Sequence, residues 1–142
     1  MKPDTENIYQ RKINQVIDYI NANLHLPLRL DIIAGQVNVS EQQLLRIMKG
    51  ALNESLYAYV ARQRVERAVL YMHTEDMSLA DLASRVGYDN PQSFSKAFKK
   101  QFSVSPKAYM DKLRARLREE TEKWSNASVG KEIIPSGMFG TI

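Results

Sequence analysis

The chain has 142 residues, of which 44% are hydrophobic and 25% charged, with a formal net charge of +4 and no cysteine. That length allows one compact domain or two small lobes on a shared helix, and the composition is that of a soluble globular protein. No apolar run approaches the roughly 18 residues a membrane span needs. No secretory segment opens the chain, and the lack of thiols excludes disulfides, thiolate metal sites and cysteine nucleophiles, so a cytoplasmic location is expected.

The predicted elements are helical throughout. Residues 8–24 place Ile8, Ile13, Val16, Ile17, Ile20 and Leu24 on one helical stripe, and Pro27 closes the segment because it cannot donate within a helix. A short helix over 30–37 turns Leu30, Ile33, Ala34 and Val37 inward, with Gly35 inside it at a cost of about 1 kcal/mol relative to alanine. Ser40-Glu41-Gln42-Gln43 has the spacing of a capping box and opens a helix to about Leu52. A longer helix is expected over 56–73, with Leu56, Val60, Ala61, Ala68, Val69 and Met72 apolar. Ser78 introduces a second short helix over 79–86, which Gly87 ends by taking the left-handed conformation. Asn90-Pro91 is a cap followed by proline in the first helical position, opening a helix to about Phe102. Ser105-Pro106 repeats that signal for a last helix to about Lys123.

Two of these stretches are copies of one unit. A shift of 49 residues lays Leu30, Ile33, Ala34, Val37, Asn38 and Val39 on Leu79, Leu82, Ala83, Val86, Gly87 and Tyr88. After one extra residue the shift becomes 50, pairing Leu44 with Phe94, Met48 with Phe98 and Leu52 with Phe102. Each copy has a helix-turn-helix pattern: a small residue for close helix approach, a left-handed turn residue four positions on, and apolar positions holding the second helix. Together they predict an all-α fold with two helix-turn-helix subdomains joined by a long linker helix.

Wheel geometry separates the faces of the two second helices. Leu44, Ile47, Met48 and Ala51 face inward in the first, with Gln42, Arg46 and Lys49 opposite, flanked by Gln43, Leu45 and Gly50. Phe94, Ala97, Phe98 and Gln101 face inward in the second, with Gln92, Lys96 and Lys99 opposite, flanked by Ser93, Ser95 and Lys100. Amide, cation, cation is the outward order in both. Arg and Lys donate to guanine O6 and N7, glutamine pairs with adenine, and exposed Leu45 would meet a thymine methyl. Ser40, Lys49, Ser95, Lys99 and Lys100 suit phosphate contacts that set the register. Charge agrees: residues 85–118 carry nine basic side chains against Asp89 and Asp111, enough to attract a polyanion. A linker of about 17 residues is about 25 Å long, so the two helices would sit near the roughly 34 Å repeat of successive major grooves.

The stretch SLADLASRVGYDNPQSFSKAFKKQFSVSPKAY, Ser78 to Tyr109, resembles the AraC/XylS family of bacterial transcription regulators, with Ala83, Gly87-Tyr88, Phe94, Phe98-Lys99, Phe102 and Ser105-Pro106 carrying the likeness. The resemblance covers about residues 10–115 and is looser in the first unit. It implies promoter binding, usually with activation through RNA polymerase. By position, it assigns base reading to Gln42, Gln43, Leu45 and Arg46 on the first helix and to Gln92, Ser93 and Lys96 on the second. The expected organisation is a first subdomain over 8–54, a linker helix over 55–74, a second subdomain over 75–123 and a tail or linker over 124–142. One chain would span double-stranded promoter DNA as a monomer.

Other classes fit less well. His25 and His73 stand apart in the sequence and no glycine-rich phosphate loop is present, so no catalytic constellation, metal or cofactor is expected. Arg62, Arg64 and Arg67 on the linker read first as solvated or paired with neighbours such as Glu66, and second as phosphate contacts. Two alternatives remain at this stage: a protein-interaction module acting on RNA polymerase or another regulator, and the DNA-binding part of a longer effector-responsive regulator.

Overall fold

The computed structural model describes residues 2–128, and the described residues are helical apart from turns and short connections. Seven helices follow in order: α1 (Lys2–Ala22), α2 (Leu30–Gln36), α3 (Glu41–Leu52), α4 (Leu56–Thr74), α5 (Leu79–Arg85), α6 (Pro91–Phe102) and α7 (Pro106–Ser128). The chain divides into two compact units, one ending at Pro106 and one beginning at Lys107.

In the first unit, helix starts follow the side chains that satisfy free backbone N–H groups. Ser40 accepts from Gln43 N while the Gln43 side chain accepts from Ser40 N, the full capping box. Ser55 caps α4 and Ser78 caps α5, each accepting from the backbone N–H three residues on. Asn90 accepts from Ser93 N at 2.8 Å, with Pro91 at the first position of α6. Arg29 precedes α2 without a side-chain cap, and its guanidinium pairs with Asp31 in the first turn instead.

The two inter-helix turns have the same hydrogen-bond geometry. Val39 N donates to Ala34 O at 3.1 Å, and Tyr88 N donates to Ala83 O at 3.0 Å. Each bond spans five residues across a left-handed position, Asn38 at φ 57° and Gly87 at φ 99°, as in a Schellman stop. Asn53 (φ 58°) and Ser103 (φ 63°) make left-handed stops after α3 and α6, each N–H donating to the carbonyl four residues back.

Burial then assembles the unit. Val16, Ile20 and Leu24 meet Ile33, Ala34, Val37, Leu44, Met48, Leu56 and Tyr59 in one cluster. In the second copy, Leu82, Ala83, Val86, Phe94 and Phe98 are buried. Tyr88, Phe94, Phe98 and Phe102 form a run of tilted and edge-on ring contacts with centroids 5.6, 5.8 and 4.8 Å apart, arrangements that aromatic quadrupoles favour over face-to-face stacking. Helix α4 packs against both α3 and α6, so it supports both second helices. At 19 residues it is about 28 Å long. Its buried positions are Leu56, Tyr59, Val65, Ala68 and Met72, while Val60, Ala61 and Val69 are half-buried.

Several expectations need correction. Helix α1 begins six residues before the expected start and ends at Ala22, and Ile8 is 50% exposed, beyond the part of the stripe that meets the core. Ala51 and Gln101, expected inward, are exposed; Gln101 Nε2 reaches Glu66 of α4 at 3.4 Å instead. Helix α7 runs to Ser128, past the expected Lys123. The expected tail over 124–142 lies outside the described residues from position 129 onward.

Candidate nucleic-acid interface

The face predicted to meet DNA is built from α3 and α6. On α3, Gln42, Gln43, Arg46, Lys49 and Gly50 are exposed, and on α6 so are Gln92, Ser93, Lys96, Lys99 and Lys100. Gln42, Arg46 and Lys49 share one side of α3 at spacings of four and three, and Gln92, Lys96 and Lys99 share one side of α6 in the same rhythm. The side chains expected to face outward on each helix are therefore exposed.

Leu45 is a correction. Expected as an exposed apolar contact, it is half-buried and packs against the first core cluster beside Ile47. The wheel put it on the flank, and in the fold that flank meets the core cluster. Ser95 is likewise half-buried.

Two of the expected contacts already have work inside the protein. The Ser40 hydroxyl caps α3, and Gln43 Oε1 accepts from Ser40 N at 3.2 Å. Gln43 Oε1 is therefore already engaged at the start of α3, which leaves its NH₂ as the freer group for an outside acceptor. Gln42 and Gln92 carry no such bond among the described residues and keep donor and acceptor together.

Ion pairing sets the interface cations apart from Arg29, Arg62 and Arg85. Ion pairs among the described residues include Arg29 with Asp31, Arg62 with Glu54 and Glu66, and Arg85 with Glu75. Arg46, Lys49, Lys96, Lys99 and Lys100 take part in none of them. The pairs hold the Arg62 and Arg85 guanidinium groups above the usual arginine range, chiefly through the hydrogen bonds to Glu54 and Glu75. Arg85 also lies 4.4 Å from the Tyr71 ring centroid. Unpaired cations keep their field for an outside anion, whereas paired ones have spent it locally.

Arg62 pairs with Glu66 as expected, but Arg64 and Arg67 of the linker have roles that sequence reasoning missed. Arg64 donates through Nε to Leu24 O at 3.0 Å and through Nη2 to Leu26 O at 2.9 Å, and Arg67 donates to Asn21 O at 3.0 Å. Their acceptors are backbone carbonyls 38–46 residues away, for which a sequence carries no side-chain signal. Burial pushes the Arg64 guanidinium below its usual range, opposed by Tyr88 and Asp89. Burial likewise pushes the Tyr88 phenol up, with Arg64 opposing. The left-handed stops Asn53 and Ser103 were missed for a different reason, because neither is glycine. The repeat held the clue: a shift of 50 places Asn53 on Ser103, and each lies two residues before a serine and the next helix.

Among the described residues no group of three or more His, Cys, Asp or Glu side chains is placed to hold a metal, and no helix is long and apolar enough to cross a membrane.

Comparison with known proteins bears on this geometry. The family model described as a helix-turn-helix domain matches residues 33–112, more than half of the chain. Regulatory protein SoxS of Escherichia coli (strain K12) is 28% identical over 105 residues, covering 74% of this chain and 98% of SoxS. Putative HTH-type transcriptional regulator YkgA of the same strain is 29% identical over 106 residues; the match takes in 75% of this chain but spans only 44% of YkgA. Among solved structures, the DNA-binding domain of AdpA, a global transcriptional factor in complex with a target DNA, superposes with a TM-score of 0.70 at 25% identity. That match covers 73% of this chain and 94% of the AdpA domain. A transcription-regulator domain of this kind is not an enzyme family. Duplicated turns, paired outward faces and a matched domain model lead to one statement: the chain belongs to the helix-turn-helix domain family of AraC/XylS-type transcription regulators.

Proposed function

We propose that the protein is a sequence-specific DNA-binding transcription regulator that inserts α3 and α6 into successive major grooves of double-stranded promoter DNA. The observation that carries this reading is the set of five exposed cations on the two equivalent helices, Arg46, Lys49, Lys96, Lys99 and Lys100, none ion-paired among the described residues. The AdpA domain, which is similar in fold, is described in complex with a target DNA, and that use of the fold supports the same use here.

Roles follow from the chemistry each side chain has left. Gln42 and Gln92 are the amides free to pair with adenine, Arg46 and Lys96 are the donors for guanine, and Gln43 adds one donor through its NH₂. Ser93 and the half-buried Leu45 border the base-reading face. Lys49, Lys99, Lys100, Ser95 and the exposed end of the Ser40 cap lie where backbone phosphates would pass. The organisation we assign is a first subdomain over 8–54, a linker over 55–74 and a second subdomain from 75 onward, with α7 continuing past the expected boundary at 123 to Ser128. It acts in the cytoplasm as a monomer on DNA, without catalysis, and activates transcription through contact with RNA polymerase.

Selection of duplexes from a random pool tests the reading. It should return a site of about 20 bp with two unlike halves one helical turn apart. Affinity for that site should fall steeply with salt, each neutralised phosphate adding about 0.9 to the slope of log affinity against log salt. A pool that emerges unenriched, with equal affinity for scrambled competitor, would overturn it.

A further inference from the structure

Where the two helix-turn-helix units approach one another beside α4, they are separated by a cleft of about 400 Å³. Leu28, Leu30 and Ile33 line it from the first unit, and Gly87, Tyr88 and Asp89 from the second. The cleft leaves part of the boundary between the units open beside α4, which packs against both second helices, so a tie at its edge bears on the angle between them.

The tie is a polar junction. Arg64 rises from α4 between the units, and its guanidinium donates to the carbonyls of Leu24 (3.0 Å) and Leu26 (2.9 Å) just past the end of α1. The same group lies 5.7 Å from the centroid of the Tyr88 ring. Gly87 completes the contact: a Cβ at this position would lie 2.1 Å from Leu24 O and 2.9 Å from Arg64 Nε. The turn of the second unit thus rests directly on the backbone of the first, with the arginine fork holding the carbonyls it rests on. Two divergent donors on a planar group fix a direction as well as a distance, which an ammonium does not. The half-buried bond to Leu24 O is strengthened because water competes less for it.

We propose that Arg64, seated against Gly87 and Tyr88, is a positioning residue that sets the relative orientation of α3 and α6 and so determines which separation of two DNA half-sites the protein accepts. This rests on the DNA-reading function proposed above. One added base pair moves a half-site by about 3.4 Å and turns it by about 34°. A rigid pair of reading helices cannot follow that change, while a loosened pair can.

Two readouts on the intact chain test the inference. Binding is measured to the selected duplex and to versions with one or two base pairs added or removed between its halves. The wild type should lose at least about tenfold on each altered spacing, whereas Arg64→Lys and Arg64→Ala should lose less than about threefold. Either variant's affinity for the original spacing should also fall. Residual dipolar couplings of the free protein give the second readout: one alignment tensor should fit α3 and α6 of the wild type, and two should be required for Arg64→Lys. Spacing penalties or a shared tensor unchanged in both variants would overturn the inference. So would global unfolding of both, which would make Arg64 a residue of the fold at large. If the wild type selects no duplex, the DNA-reading function fails by itself, and the couplings still decide the role of Arg64.

Discussion

In the first helix-turn-helix unit the chain turns through Asn38, an exposed residue at φ 57°, and the second helix is held by the aliphatic pair Leu44 and Met48. In the second unit it turns through Gly87 at φ 99°, pressed on a neighbouring carbonyl, and the helix is held by Phe94 and Phe98 within a run of aromatic contacts. The hydrogen bond that closes each turn is nevertheless the same, 3.1 Å in one and 3.0 Å in the other. A duplicated backbone has been kept while its means of support diverged. The first turn is a local solution, complete within its own residues. The second is also a joint with the rest of the unit, so its chemistry is constrained from outside as well as from within.

That contrast can be broken or sharpened by substitution, and the largest effect is expected in the aromatic run. Phe98→Ala should cost about 3–5 kcal/mol in urea unfolding, because it opens a cavity and also removes contacts to the flanking rings. Met48→Ala, its counterpart, should cost less by about 1 kcal/mol; equal losses would mean the rings add nothing beyond their area. The turn residues come next. Gly87→Ala should destabilise by about 3 kcal/mol, since the left-handed backbone is strained and the new methyl meets a carbonyl rather than a yielding side chain. Asn38→Gly should stay within about 0.5 kcal/mol of wild type in the same measurement. Function should separate the second helices more gently. Arg46→Ala should relax discrimination at one base position by about 1–3 kcal/mol in competition with base-substituted duplexes, while Lys99→Ala should weaken all duplexes alike. A base-specific loss at Lys99 would move it from anchoring to reading. The smallest expected effect is a gain: Gly35 is exposed in α2 with open space where a Cβ would sit. Gly35→Ala should add about 0.5–1 kcal/mol to stability, measured by the unfolding midpoint.

What the sequence made legible was whatever is encoded within a few residues. Ser40 with Gln43, and Asn90 with Pro91, announced their helices because caps act on backbone groups two or three positions away. Gly87 declared a left-handed stop because little else adopts that conformation without strain. The outward faces of α3 and α6 followed from a 3.6-residue period alone. Legibility failed where the cause lies across the fold. Leu45 is half-buried against a core cluster assembled from several helices, and Gln101 is exposed and reaches Glu66 of α4. Gly87 had a second reason for being glycine, the carbonyl of Leu24, that no local pattern contains. Arg64 was legible as a cation and illegible as a fastener. On the DNA face, residue type and spacing indicated the surface, while the capping role of Ser40 and Gln43 decided which atoms that surface still offers.

The shared duty of Gln43 bears on how such a regulator can change its target. A mutation there alters recognition and loosens the start of α3 at once, at about 1 kcal/mol for a lost cap partner. Drift toward a new promoter is therefore channelled through Gln42 and Arg46, which face outward and hold nothing else together among the described residues. Retargeting the protein in the laboratory should begin at those two positions, with Gln43 left in place as the hinge pin of its helix.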